Sequence, residues 1–180
     1  MVPERHLNYH QPYYHQQRNP ITHHFNALLA LLLLSLLEST LVKKGQSSRL
    51  TFLGSVGMAL HGLKKKPLLE SETVAQRFDD KSKYAAFSRY SDSKLMNAAF
   101  TQKLASHVFV DKVIVNNLCP RMVATDFDKN LGYALKGLRT LVRKTRARTV
   151  KMGARTYVYV ISVAGKKSHE GFISSNNITE

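Results

Sequence analysis

The sequence has no tryptophan, one cysteine, five prolines, and only 12 acidic residues against 27 lysines and arginines in 180 positions. The lone cysteine, Cys119, excludes an intrachain disulfide framework and matches the usage of a reducing compartment, so a cytoplasmic location is expected. Scarce proline, set beside 43% hydrophobic residues, excludes a fibrous or wholly disordered chain and suits one globular domain. The shortage of acids leaves a formal charge of 27 − 12 = +15. Such an excess favours anionic partners, whether nucleic acid, a membrane surface, or a phosphorylated cofactor or substrate.

A hydrophobic run of membrane length is also lacking. The longest, residues 27–37 (ALLALLLLSLL), has 11 residues. At about 1.5 Å per residue it covers about half of a bilayer core. Residues 1–26 precede it, and Glu38-Ser39-Thr40-Leu41 offers no small-residue cleavage pattern. The expectation is a helix buried inside the protein, with neither a signal sequence nor a membrane span. The first 20 residues are rich in His, Gln, Tyr and Asn and contain Pro3, Pro12 and Pro20. His6, His10, His15, His23 and His24 follow no standard ligand spacing and have no cysteine or acidic cluster beside them, so no metal site is expected. Residues 1–20 are read as a disordered segment and 21–180 as the domain.

What is present after residue 21 alternates. A helix apolar on all sides (27–37) is followed by a strand at 49–54 (RLTFLG), a charged connection over 64–83, and a helix over 90–107. Next come a β-branched strand at 112–118 (KVIVNNL), a basic helical stretch at 130–148, a helix at 155–164 and a strand at 171–174. This rhythm is that of a parallel sheet covered by helices on both faces, an α/β fold. Near-continuous apolar strands agree with burial on both sides.

The sharpest local feature is Tyr90-Ser91-Asp92-Ser93-Lys94. On a helix, residues four apart share a face. A free phenol ionises near pH 10, and bringing it to neutrality takes roughly 4 kcal/mol. One cation about 4 Å away supplies that order of energy at an effective dielectric near 20. A lysine one turn from a tyrosine can therefore tune a proton donor and acceptor. Ser55, in Gly54-Ser55-Val56-Gly57, follows a predicted strand, and Asn116-Asn117-Leu118-Cys119-Pro120 closes the next one. Carboxyl ends of parallel strands are where ligands bind in open α/β sheets.

With these pieces in order, GSVG (54–57), RYSDSKLMNAAF (89–100), VNNLCPRMVATDF (115–127) and GARTYVYVISVAGKKSHEGFISSNN (153–177), the sequence resembles the C-terminal half of the short-chain dehydrogenase/reductase family. The last piece and the leucine-rich run look most like fungal, retinol-dehydrogenase-like members, many of which accompany secondary metabolism. The resemblance implies a partial Rossmann-like, doubly wound sheet and an NAD- or NADP-dependent oxidoreductase of a small-molecule carbonyl or alcohol. Tyr90 would be the catalytic acid/base, Lys94 would ease its ionisation and hold the nicotinamide ribose, and Ser55 would hydrogen-bond the substrate oxygen. Pro120 would shape the backbone around the nicotinamide ring, and Thr125 would touch its carboxamide.

The sequence departs from the family pattern at several points. None of the nine glycines has the four-then-two spacing of the family's phosphate-binding loop. Thr22 stands where the family carries a fourth catalytic residue, an asparagine. Pro120-Arg121 replaces Pro-Gly, setting a bulky cation where the family keeps bare backbone against the cofactor; interference with the cofactor is expected there, phosphate binding being the other use. A truncated domain lacking its N-terminal cofactor half is therefore expected.

Two other classes compete. Residues 136–155 hold eight cations and no acid, a basic face able to contact phosphates. Few aromatics are interleaved to stack bases, and nucleic acid is not the favoured partner. A noncatalytic interaction module, such as a homodimer, would cover the all-apolar helix.

Overall fold

The structure, a computed structural model, describes residues 18–80, 86–124 and 147–179. Helix α1 (Arg18–Lys44) leads into strand β1 (Ser48–Leu53), two short 3-10 turns at Val56–Leu60 and Gly62–Lys64, and a single-turn helix α2 (Val74–Asp79). Helix α3 (Ala86–Ala105), strand β2 (Val113–Cys119), helix α4 (Val150–Ser162) and strands β3 (Phe172–Ser174) and β4 (Asn177–Thr179) complete it. The sheet order is β1-β2-β3-β4. The first two pairings are parallel and the last is an antiparallel hairpin.

β2 is the organising strand, with all seven residues buried. Its alternation splits the core in two. Val113 and Val115 face Phe52, Ala30 and the α3 residues Leu104 and Ala105, while Phe52 meets Phe100 edge-on at 5.8 Å. On the opposite face Leu118 joins Ile173 with Val160 of α4 and Ala164 two residues beyond that helix. Helices thus cover both faces of a mostly parallel sheet, as the α/β reading requires.

Local chemistry fixes the ends. Thr149 caps α4 by accepting a hydrogen bond from the Met152 amide at 3.2 Å. Thr73 and Gln76 form a reciprocal capping box on α2, inside the segment expected to be a plain charged connection. The turn from β3 to β4 places Ser175 and Asn176 at φ 54° and 66°, which produces a hairpin the sequence reading did not foresee.

The expectation for residues 27–37 is corrected. α1 runs for 27 residues, and Leu28, Leu29, Leu31, Leu32, Leu33 and Leu36 are exposed. Only a narrow stripe, Ala30 with Leu34 and Leu37, meets the core. An all-round apolar helix needs cover on every side, and the described residues supply it on one. By length and composition alone, His24–Lys44 is long and apolar enough to cross a membrane. Of residues 1–20, expected to be disordered, 18–20 instead open α1, and 1–17 lie outside the described residues, as does 130–146 of the basic stretch expected to be helical over 130–148.

Candidate active site

A pocket of about 690 Å³ opens at the carboxyl ends of β1 and β2, roofed by the first two turns of α4. Ser55, Tyr90, Lys94 and Pro120 all line it. They come from a strand end, a helix and a second strand end, so only the folded sheet brings them together.

β1 ends at Leu53, and the Gly54 amide still donates to Leu118 O at 2.7 Å, prolonging the ladder by one residue. Gly54 is required there: a Cβ would stand 1.9 Å from Asn117 Oδ1. The chain then turns, and Ser55 Oγ accepts from the Gly57 amide at 3.0 Å, capping the 3-10 turn. A Cβ on Gly57 would lie 3.1 Å from Ser55 Oγ and 3.5 Å from Tyr90 Cε1, so the hydroxyl and the phenol ring flank the same bare backbone. Asp92 of α3 accepts from the Gly62 amide at 2.6 Å, tying this turn to the helix that carries Tyr90.

Tyr90 is 44% exposed at the pocket mouth. Lys94, one helical turn on, sits with Nζ 5.7 Å from the Tyr90 ring centroid and donates to Leu53 O at 2.8 Å. Burial pushes the Lys94 ammonium below its ordinary value of 10.5, partly opposed by the nearby Cys119. Its positive charge has no carboxylate partner among the described residues.

Cys119 Sγ accepts two amides, Val56 and Arg121, each at 3.3 Å, and so pins the turn after β1 to the end of β2. Tyr157 of α4 is a pocket residue the sequence reading missed. Burial raises the Tyr157 phenol above its ordinary value of 10.0, keeping it a proton-bearing donor. Its only sequence signal was a place in an apolar helix, which marks core as readily as pocket. Gly153 admits α4 to the pocket roof, since a Cβ there would sit 2.7 Å from Val123 Cγ2. Thr125 lies outside the described residues.

The chain is 38% identical over 165 residues to the short chain dehydrogenase sor7 of Hypocrea jecorina, covering 91% of this chain and 46% of that protein. It is 34% identical over 164 residues to the short-chain dehydrogenase/reductase tropG of Talaromyces stipitatus (91% and 50%). It is 31% identical over 167 residues to the short chain dehydrogenase macD of Penicillium terrestre (92% and 51%). The chain is homologous to the C-terminal half of short-chain dehydrogenases/reductases. It spans about half the length of the curated relatives it matches. No protein-family model and no solved structure matches it.

Set against the short-chain dehydrogenase/reductase pattern, Arg121 is the departure the structure makes concrete. It adopts φ 62°, a left-handed conformation that glycine enters freely and arginine does not. Its Nε donates to Ser174 Oγ at 3.2 Å, which draws the side chain along the pocket rim toward β3. Thr22 lies on α1.

Proposed function

We propose that this chain carries the catalytic part of an NAD(P)-linked oxidoreductase acting on a small-molecule carbonyl or alcohol. The observation that supports it is the convergence of Ser55, Tyr90, Lys94 and Pro120 on one pocket of small-molecule size at the carboxyl edge of a parallel sheet. The half-buried Lys94, without a carboxylate partner among the described residues, fits the nicotinamide-ribose end of such a cofactor, and Pro120 would border its ring; a contact of Thr125 with its carboxamide rests on the family resemblance alone. The phosphate end has no glycine loop in this sequence to receive it. When bound, the cofactor supplies or accepts the hydride.

The protein's own part follows from the geometry. Ser55 presents a hydroxyl at the strand end, where it can donate to a carbonyl oxygen and hold it beside Tyr90. Tyr90 gives its proton to that oxygen during reduction and takes one back during oxidation. Lys94, fixed by Leu53 O, steadies the phenolate left behind. The mostly apolar pocket wall limits water and so strengthens these interactions. A cytoplasmic setting goes with this reading, since Cys119 is free and buried.

The test is titration of the purified chain with NADPH and NADH, followed by cofactor fluorescence, and turnover of simple ketones. We expect saturable binding. Tyr90→Phe should keep the binding and lower the turnover number by about 10²- to 10⁴-fold. The rate should fall on the alkaline side below pH 10.5, because burial makes Lys94 lose its proton earlier than an exposed lysine. Folded protein that binds neither nucleotide would sink the proposal. A noncatalytic interaction module would then stand, favoured by the exposed leucines of α1.

A further inference from the structure

None of the described residues lining the pocket is acidic, while Lys94 and Arg121 both are cationic. Neither has a carboxylate partner among the described residues. Arg121 is also held where an arginine is disfavoured, at φ 62°, by its amide's bond to Cys119 Sγ. A strained residue persists at a site when its side chain contributes there, or when its surroundings over-determine it. Its Nε is clasped by Ser174 Oγ, which restrains the fork and leaves both terminal nitrogens without a protein partner among the described residues. A guanidinium fixed in this way and set against apolar walls is suited to bidentate recognition of an oxyanion.

We propose that Arg121 anchors an oxyanion of the ligand bound in this pocket, with Lys94 as the second positive charge. The oxyanion is a carboxylate on the carbonyl substrate or a phosphate on the cofactor. Only in naming those two ligands does the inference rest on the oxidoreductase reading. An apolar lining and two cations select an amphiphilic acid over a neutral molecule of the same shape, because only the acid gives the guanidinium an anionic partner.

The probe is NMR of protein labelled at its methionine methyls. Met122 lines the same pocket and reports occupancy, and the other methionines serve as controls. Three titrations are run, with naphthoate, with the neutral naphthamide, and with NADPH. Wild type should bind naphthoate more tightly than naphthamide. Arg121→Gly should weaken naphthoate about tenfold, leave naphthamide unchanged, and keep or raise the melting temperature, since glycine takes φ 62° without strain.

Arg121→Gln, which retains a polar side chain, should show the same loss. If NADPH is weakened and naphthoate is not, the oxyanion is the cofactor's phosphate. Equal affinities in wild type and both variants, or no binding of either anion by wild type, overturns the anchor. Naphthoate held through Arg121 by a chain that neither binds NADPH nor reduces ketones keeps the anchor and sinks the oxidoreductase reading instead.

Discussion

Asn117 shows how tightly single residues are coupled beneath the pocket. Its amide is buried, and neither its oxygen nor its nitrogen has a hydrogen-bond partner among the described residues. It occupies the space that a side chain at position 54 would need, and Phe172 Cε2 closes the other side, 3.0 Å from where that Cβ would stand. Gly54→Ala should therefore destabilise by about 1 to 3 kcal/mol through overpacking. Asn117→Ala should be nearly neutral, because it removes a polar group already without partners. With Asn117→Ala in place, Gly54→Ala should cost much less, giving a coupling energy of about 1 to 2 kcal/mol. Urea denaturation of the four proteins measures this; additive losses would show that Asn117 is not the obstacle. The sequence places both positions at strand carboxyl ends, but across 63 residues it carries no sign that one side chain fills the space of the other.

At the scale of elements, what was legible and what was not divides by range of interaction. β1, β2 and α3 could be read because β-branched runs and the four-residue spacing of Tyr90 and Lys94 are local signals. α2 has an equally local mark, Thr73 just before Val74–Asp79 and Gln76 in its first turn, but it lies inside a charged stretch whose pattern hides it. The exposure of α1 was not local at all, because it depends on what the rest of the molecule places beside it. The link between β2 and α3 is of that second kind. β3 is too short to reach Val115, so His169 takes over: its Nδ1 accepts from the Val115 amide at 3.1 Å. Its Nε2 then lies 3.1 Å from Ala105 O and donates to it, which fixes the tautomer. His169→Ala strands a buried amide and a helix-terminal carbonyl at once. The expected cost is about 2 to 4 kcal/mol, together with faster hydrogen exchange at the Val115 amide. Unchanged exchange there would show that another group satisfies Val115.

For the whole molecule the governing fact is imbalance of cover. β2 is covered by α1 and α3 on one face and by α4 on the other, yet among the described residues β1 pairs on one edge only and α1 turns most of its leucines outward. Open strand edges and large apolar patches are both association sites. Leu32 and Leu36 are 65% and 63% exposed and lie one turn apart, away from the stripe of Ala30, Leu34 and Leu37 that meets the core. Leu32→Glu/Leu36→Lys should break the patch while adding a favourable i, i+4 pair to the helix. In sedimentation velocity the wild-type chain should associate as its concentration rises, and the double variant should stay monomeric. Thermal unfolding should change by no more than about 0.5 kcal/mol, as befits surface positions. A variant that lost stability as well as association would place these leucines in a core rather than on a surface. A wild type that stayed monomeric at high concentration would leave the patch without consequence in solution. The two readouts separate an interaction surface from a folding requirement, and that distinction decides whether α1 serves this domain or a partner outside it.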